Sequence, residues 1–158
     1  MKPFFTPDLY PALIGEVQSW AGTRFSARVG GRAVKGVKAD CVTFVEAVLV
    51  NLGAISPLVF PPYVPFTGGP DMFSLMVGVV ESVPTLEKVM EEKNPASLIP
   101  GDVLLCSTGA AGHHLALFVG DATVWHCIDR YGVTETSVND PIVWSRVRSI
   151  HRPIRITR

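Results

Sequence analysis

The stretch Asp40-Cys41-Val42-Thr43-Phe44-Val45-Glu46-Ala47-Val48-Leu49 decides how the rest of the chain is read. Cys41, Phe44, Val45, Val48, Leu49 and, just beyond, Leu52 recur at helical spacing and fill one broad face, which predicts a helix with a buried side. Asp40 has the side chain of an N-cap, and Gly53 supplies a C-terminal stop. A thiol therefore stands at a helix start. Exposed backbone N–H groups there favour the thiolate over an ordinary thiol of pKa about 8.5, which makes Cys41 a candidate nucleophile. Free cysteine is also among the most buried residue types, so on the helix alone a core role competes.

Outward from this helix the sequence divides into a helical first half and a strand-rich second half. A first helix is expected to begin between Thr6 and Pro11 and to run to about Trp20, since Leu9, Leu13, Val17 and Trp20 share a face and Gly22 ends it. Residues 23 to 38 are basic and glycine-rich, and read as a long solvated loop with one short hairpin at most; a substrate-binding rim is the other reading. Residues 54 to 70 hold five of the thirteen prolines, among aromatics, and read as a covering loop. Two short helices are expected at about 71 to 81 and 84 to 93. After Ile99-Pro100-Gly101-Asp102 come strands at Val103 to Cys106, Leu115 to Val119, Thr123 to Ile128 and Val133 to Val138. A brief helix near Pro141 to Arg146 and a last strand around Ser149 to Ile156 complete an α+β plan of N-terminal helices on a C-terminal antiparallel sheet.

Composition narrows the function. A chain of 158 residues, 47% hydrophobic, fits one globular domain over 1–158 with a core that needs no staples. Its 14 basic and 14 acidic side chains balance, which argues against nucleic acid or an anionic membrane as partner. Three cysteines, Cys41, Cys106 and Cys127, show no C-x-x-C spacing, so neither a disulfide framework nor a zinc site is expected, and no cofactor. Prolines at 3, 7 and 11 interrupt the N-terminus, and no apolar run has signal-peptide or membrane-span length. Synthesis in the cytoplasm, without membrane insertion, is the expectation.

A thiol nucleophile requires a base, and the base requires an orienting group. His114 opens the apolar run Leu115-Ala116-Leu117-Phe118-Val119, and His126 follows twelve positions on. A three-residue hairpin loop would set His126 opposite Ala116 and both imidazoles on one face, roughly 7 Å apart at the backbone. A two-residue loop would put them on opposite faces, and the residues leave that parity open. His113 is a competing base, read here as a loop residue. His151, Cys106 and Cys127 read as structural, and Asp102 as closing a turn.

These residues fall into ordered blocks: Trp20-Ala-Gly-Thr-Arg-Phe25, Asp40-Cys41-Val-Thr-Phe-Val45, Pro100-Gly-Asp-Val-Leu-Leu105, His114-Leu-Ala-Leu-Phe-Val-Gly120 and Trp125-His126-Cys127. Together, over about residues 17 to 128, they resemble the NlpC-type cell-wall cysteine peptidases, most closely the compact members encoded with phage tail genes. The resemblance implies a papain-like fold and cleavage of peptidoglycan peptide stems, often at a γ-D-glutamyl to diamino-acid bond. It implies Cys41 as nucleophile, His114 as general base, His126 as the orienting third residue, and the Cys41 backbone N–H as main oxyanion donor. Many relatives carry tyrosine where Phe25 stands and a tight Gly-Gly segment just before the cysteine; here Phe25 lacks the hydroxyl, and about fourteen residues separate it from Cys41. Without an export signal, reaching the periplasmic cell wall takes another route: a virion tail, with tail-tip or hub proteins as partners, would supply one, and a lysis cassette, a specialised secretion system or a cytoplasmic target would serve equally well. Two other readings share the scaffold: a catalytically dispensable tail-tip or interaction module, and a thiol amidase or acyltransferase using the Pro57 to Phe66 loop as a groove.

Overall fold

A computed structural model describes residues 2–26, 32–59, 72–89, 93–108 and 112–156. A 3-10 turn at Pro7–Leu9 leads into helix α1, Tyr10–Ser19, followed by α2, Cys41–Asn51, and α3, Met72–Glu81. The strands are β1, Leu86–Lys88; β2, Val103–Thr108; β3, Gly112–Gly120; β4, Thr123–Ile128; β5, Gly132–Ser137; and β6, Val147–Pro153, with α4, Pro141–Arg146, before β6. They form one antiparallel sheet in the order β1-β6-β2-β3-β4-β5. The α+β plan of helices first and sheet second holds.

Strand alternation splits the core in two. Leu115, Leu117 and Val119 of β3, with Trp125 and Cys127 of β4, face the helices and meet Leu13, Val17, Phe44, Val45, Val48 and Leu49. Each such fully buried side chain contributes roughly 1.5–3 kcal/mol, which is what fixes α2 on the sheet. Ala116, Phe118 and Val124 point to the other face, among Leu104, Cys106, Val147 and Ile150, under Val143 and Trp144 of α4.

The helix expected over 84 to 93 is corrected. Leu86 to Lys88 are extended and pair with Pro153 to His151, and the Val89 N–H continues the pairing to the Ile150 carbonyl at 2.8 Å. The exposed ladder of β6 supplies backbone partners that outweigh the helical preference of a short, charge-rich segment; residues 90–92 lie outside the described ones. The 23 to 38 stretch does contain a tight hairpin, bridged at Val34 and Lys38, though residues 27–31 are not described. Most of the 54 to 70 covering loop likewise lies outside the described residues.

The β3–β4 hairpin resolves the parity of the histidines by a route the sequence did not display. Its turn is two residues, Asp121 and Ala122, both with positive φ, the geometry that matches the twist of paired strands. A bulge between Phe118 and Gly120 then adds one residue to β3. Beyond it the pairs are Phe118 with Val124 and Leu117 with Trp125, the register a three-residue loop would produce. The bulge cancels the parity of the turn.

Candidate active site

Cys41 is placed by a reciprocal cap. The Asp40 carboxylate accepts the N–H groups of Val42 at 3.0 Å and Thr43 at 2.7 Å, while the Thr43 hydroxyl accepts the Asp40 N–H at 2.9 Å. Two of the free donors of the helix start are thereby used, and the Cys41 N–H is left facing its own sulfur. Upstream, Ala39 pairs with the strand-like residues around Phe25: its N–H reaches the Arg24 carbonyl at 3.0 Å and its carbonyl takes the Ser26 N–H at 2.9 Å. From the sheet, the Cys127 thiol donates to the same carbonyl at 3.4 Å. Phe25 thus stands beside the thiol segment despite the long intervening stretch, and it packs on the core.

Among the described residues the β3–β4 ladder does not continue past Leu117 and Trp125. At this open end the Leu115 N–H is near enough to the Cys41 sulfur to favour its thiolate form. That N–H belongs to the peptide joining His114 to Leu115, so the sulfur lies one peptide from His114. The two imidazoles meet on the strands: His114 Nε2 is 2.9 Å from His126 Nδ1, with ring centroids 5.0 Å apart. His126 Nε2 is in turn 2.8 Å from the Thr136 hydroxyl of β5. The structure therefore joins His114 to His126, whose positions fall by strand alternation with Ala116, Phe118 and Val124 on the face away from α2, while Cys41 lies at the level of Leu115 with no hydrogen bond between sulfur and either ring among the described residues.

The electrostatics oppose the expectation of a depressed thiol pKa. Cys41 keeps part of its surface, yet its sulfur is deeply enclosed, and burial followed by the Asp40 charge pushes the thiol up to about 12; the Leu115 and Cys41 N–H groups pull the other way and are outweighed. Burial, then the charges of His126, His113 and Arg146, push His114 down to about 3, and burial pushes His126 down to about 4. The resting site is a neutral thiol beside neutral imidazoles.

The remaining sequence candidates separate cleanly. His113 is a strand residue of β3 opposite Ser107, not a loop residue; it faces the helix side, feels the Asp40 charge, and its buried Nδ1 has no partner among the described residues. His151 is buried in β6, bonded to Ser149 at 2.8 Å. Cys106 and Cys127 are buried. Asp102 closes its turn by accepting the Ile99 N–H at 2.9 Å, and it also takes two guanidinium bonds from Arg152, at 2.7 and 2.9 Å. Sequence reasoning missed Thr136. Its signal was the alternation Val133-Thr134-Glu135-Thr136, which puts both threonines on the face of His126. Among the described residues no group of three or more His, Cys, Asp or Glu is placed to share a metal ion, and no described helix is long and apolar enough to cross a membrane.

A cysteine-opened helix laid on an antiparallel sheet that carries paired histidines is the layout of the papain-like α+β class. Within that class, the backbone is that of NlpC/P60 proteins. An NlpC/P60 family protein of Bacillus cereus matches with TM-score 0.62 at 17% identity, over 92% of this chain and 40% of that one. A Staphylococcus aureus protein described as similar to lipoprotein, NLP/P60 family, matches with TM-score 0.61 at 14% identity, over 98% and 44%. The NlpC/p60 domain of the peptidoglycan hydrolase SagA matches with TM-score 0.51 at 20% identity, over 92% and 98%. The chain has the NlpC/P60 fold, and it spans about two fifths of the length of the Bacillus and Staphylococcus proteins. Neither a protein-family model nor a curated protein matches the sequence.

Proposed function

We propose that the chain is a cysteine peptidase that hydrolyses peptide-stem amide bonds of bacterial peptidoglycan, with Cys41 as nucleophile, His114 as general base and His126 as its orienting partner. One observation carries the reading: the sulfur lies one peptide from an imidazole whose Nε2 is already taken, leaving Nδ1 without a hydrogen bond among the described residues. For Nδ1 to accept a proton, His114 must carry its hydrogen on Nε2 and donate it to His126 Nδ1. His126 must then donate from Nε2 to Thr136, so one tautomer runs through all three.

Because the thiol is held high and the imidazoles low, the reaction starts from neutral groups rather than from a thiolate–imidazolium pair. As the sulfur bonds to the substrate carbonyl, its proton passes to His114 Nδ1, and the oxyanion is met by the Cys41 N–H. The C–N bond breaks as His114 returns that proton to the leaving amine. Water, deprotonated by His114, then hydrolyses the thioester and restores the thiol. Fold likeness to the peptidoglycan hydrolase SagA supports the substrate class. The ordered sequence blocks support the finer reading, a γ-D-glutamyl to diamino-acid bond cut by a component of a phage tail.

The purified chain should release new amino termini from cell-wall peptides, and the Cys41→Ala variant should release none; no turnover of any stem peptide by the wild type would remove the proposal. Mass spectra of the fragments identify the bond, and peptide mapping of purified virions tests the tail assignment. One observation favours a second reading, a structural module that keeps the fold: the thiol is enclosed, and Phe25, bridged to Ala39 two residues before it, has no hydroxyl. Full assembly and infectivity of a Cys41→Ala virus would support it.

A further inference from the structure

On the side of α2 away from the thiol, a cavity of about 300 Å³ opens between that helix, Trp20, the 32–35 segment and Pro57. Glu46 is five residues past Cys41, about 140° around the helix at about 100° per residue, so the cavity does not share the thiol's face. Its volume is at the lower end of small-ligand sites.

Three donors on its wall are already engaged beside it: Glu16 Oε1, outside the lining, takes Trp20 Nε1 at 3.0 Å, Asn51 Nδ2 at 2.9 Å and Lys35 Nζ at 3.3 Å, and the Lys35 ammonium also lies 5.5 Å over the indole. Glu46 is different: it is 8% exposed, its Oε2 accepts the Leu58 N–H at 2.7 Å, and Oε1 has no hydrogen bond among the described residues. Burial raises the Glu46 carboxyl above its usual range; the Leu58 N–H and, through space, Arg32, which lines the same cavity without forming an ion pair with it, pull the other way. A nearly buried carboxylate with one free oxygen, facing a guanidinium it does not touch, leaves one negative and one positive charge to be matched across the same space.

We propose that this cavity is a second binding site, separate from the thiol, for a small zwitterion, a free amino acid or a dipeptide, whose ammonium meets Glu46 and whose carboxylate meets Arg32. The indole of Trp20 and the apolar wall at Val50 and Pro57 cover its carbon atoms. The remaining Asn51 Oδ1 is a second acceptor for the ammonium. The site stands whether or not Cys41 is a nucleophile.

The test titrates alanyl-alanine into the full chain carrying Cys41→Ala, so that no peptide is cut, and follows heat and backbone amide shifts. Binding is expected to move Ala47, Val50 and the Trp20 indole N–H. Glu46→Gln keeps an acceptor for the Leu58 N–H but loses the charge, and should weaken binding about tenfold or more. The N-acetylated dipeptide should fail on the unchanged site, a comparison that needs no further variant. With Cys41 present, Glu46→Gln should leave the rate of Cys41 alkylation unaltered. The proposal is overturned by an absence of binding up to on the order of 10 mM, by binding indifferent to Glu46→Gln or to acetylation, or by shifts confined to residues 41, 114 and 126.

Discussion

His114 Nε2 and His126 Nδ1 are 2.9 Å apart, and the second ring passes the contact on to the Thr136 hydroxyl at 2.8 Å. The two rings and the hydroxyl therefore share one proton arrangement. Removing the far end should release the near one.

Thr136→Val deletes the hydroxyl that fixes His126 and should lower turnover on the order of tenfold, while Thr136→Ser retains it. Imidazole nitrogen shifts are the decisive readout. In the valine variant His126 should become a mixture of tautomers, whereas a merely structural threonine would leave those shifts where they were.

The pH dependence of alkylation distinguishes a neutral thiol from a preformed ion pair. With Cys41 pushed up to about 12, its reaction with iodoacetamide should climb roughly tenfold per pH unit from pH 6 to 10, without a plateau. A plateau at neutral pH would mean that the thiolate is already present and that the enclosure of the sulfur is overridden in solution.

Stability should fall as the solution is acidified. Burial holds His114 near 3, His126 near 4 and His151 near 4, below the usual 6.5, so between these limits the unfolded chain binds protons the native chain refuses. Stability is therefore fully present above about pH 6.5 and is lost as pH drops toward 4, by at most ~1.4 kcal/mol per pH unit for each ring. His151→Gln should flatten the slope of Tm against pH between 6.5 and 4 and leave Cys41 alkylation unchanged. An unaltered slope would remove His151 from the account.

Asp40→Ala should cost about 1 kcal/mol, because two N–H groups at the start of α2 lose their acceptor, and Asp40→Asn should recover most of it. Equal melting temperatures for both variants would show that packing alone fixes the start of α2.

The helix start was legible because its signals are local: Asp40, Cys41 and the apolar spacing to Leu52 lie within a few turns of one another. Most strands were legible for the same reason. The pairing of the histidines was not, because it depends on a bulge at the end of β3 that compensates a two-residue turn, and its one mark, Gly120 with positive φ, reads equally well as an ordinary turn residue beside Asp121. The strand at Leu86 to Lys88 was misread as helix because its partner lies more than sixty residues later, in β6. Thr136 was missed because the contact crosses from β4 to β5 diagonally, a relation that only register reveals. The thiol was expected to be acidic from its position on the helix; the burial that reverses this comes with its packing near Leu115 of β3 and Cys127 of β4, both more than seventy residues away in sequence.

The most direct test of the chemistry is intact-mass spectrometry of the chain quenched in acid moments after mixing with a stem peptide. The expected result is a protein heavier by one acyl fragment, with the added mass on Cys41 and absent from Cys41→Ala. Steady cleavage with no adduct, and undiminished in Cys41→Ala, would contradict attack by this sulfur.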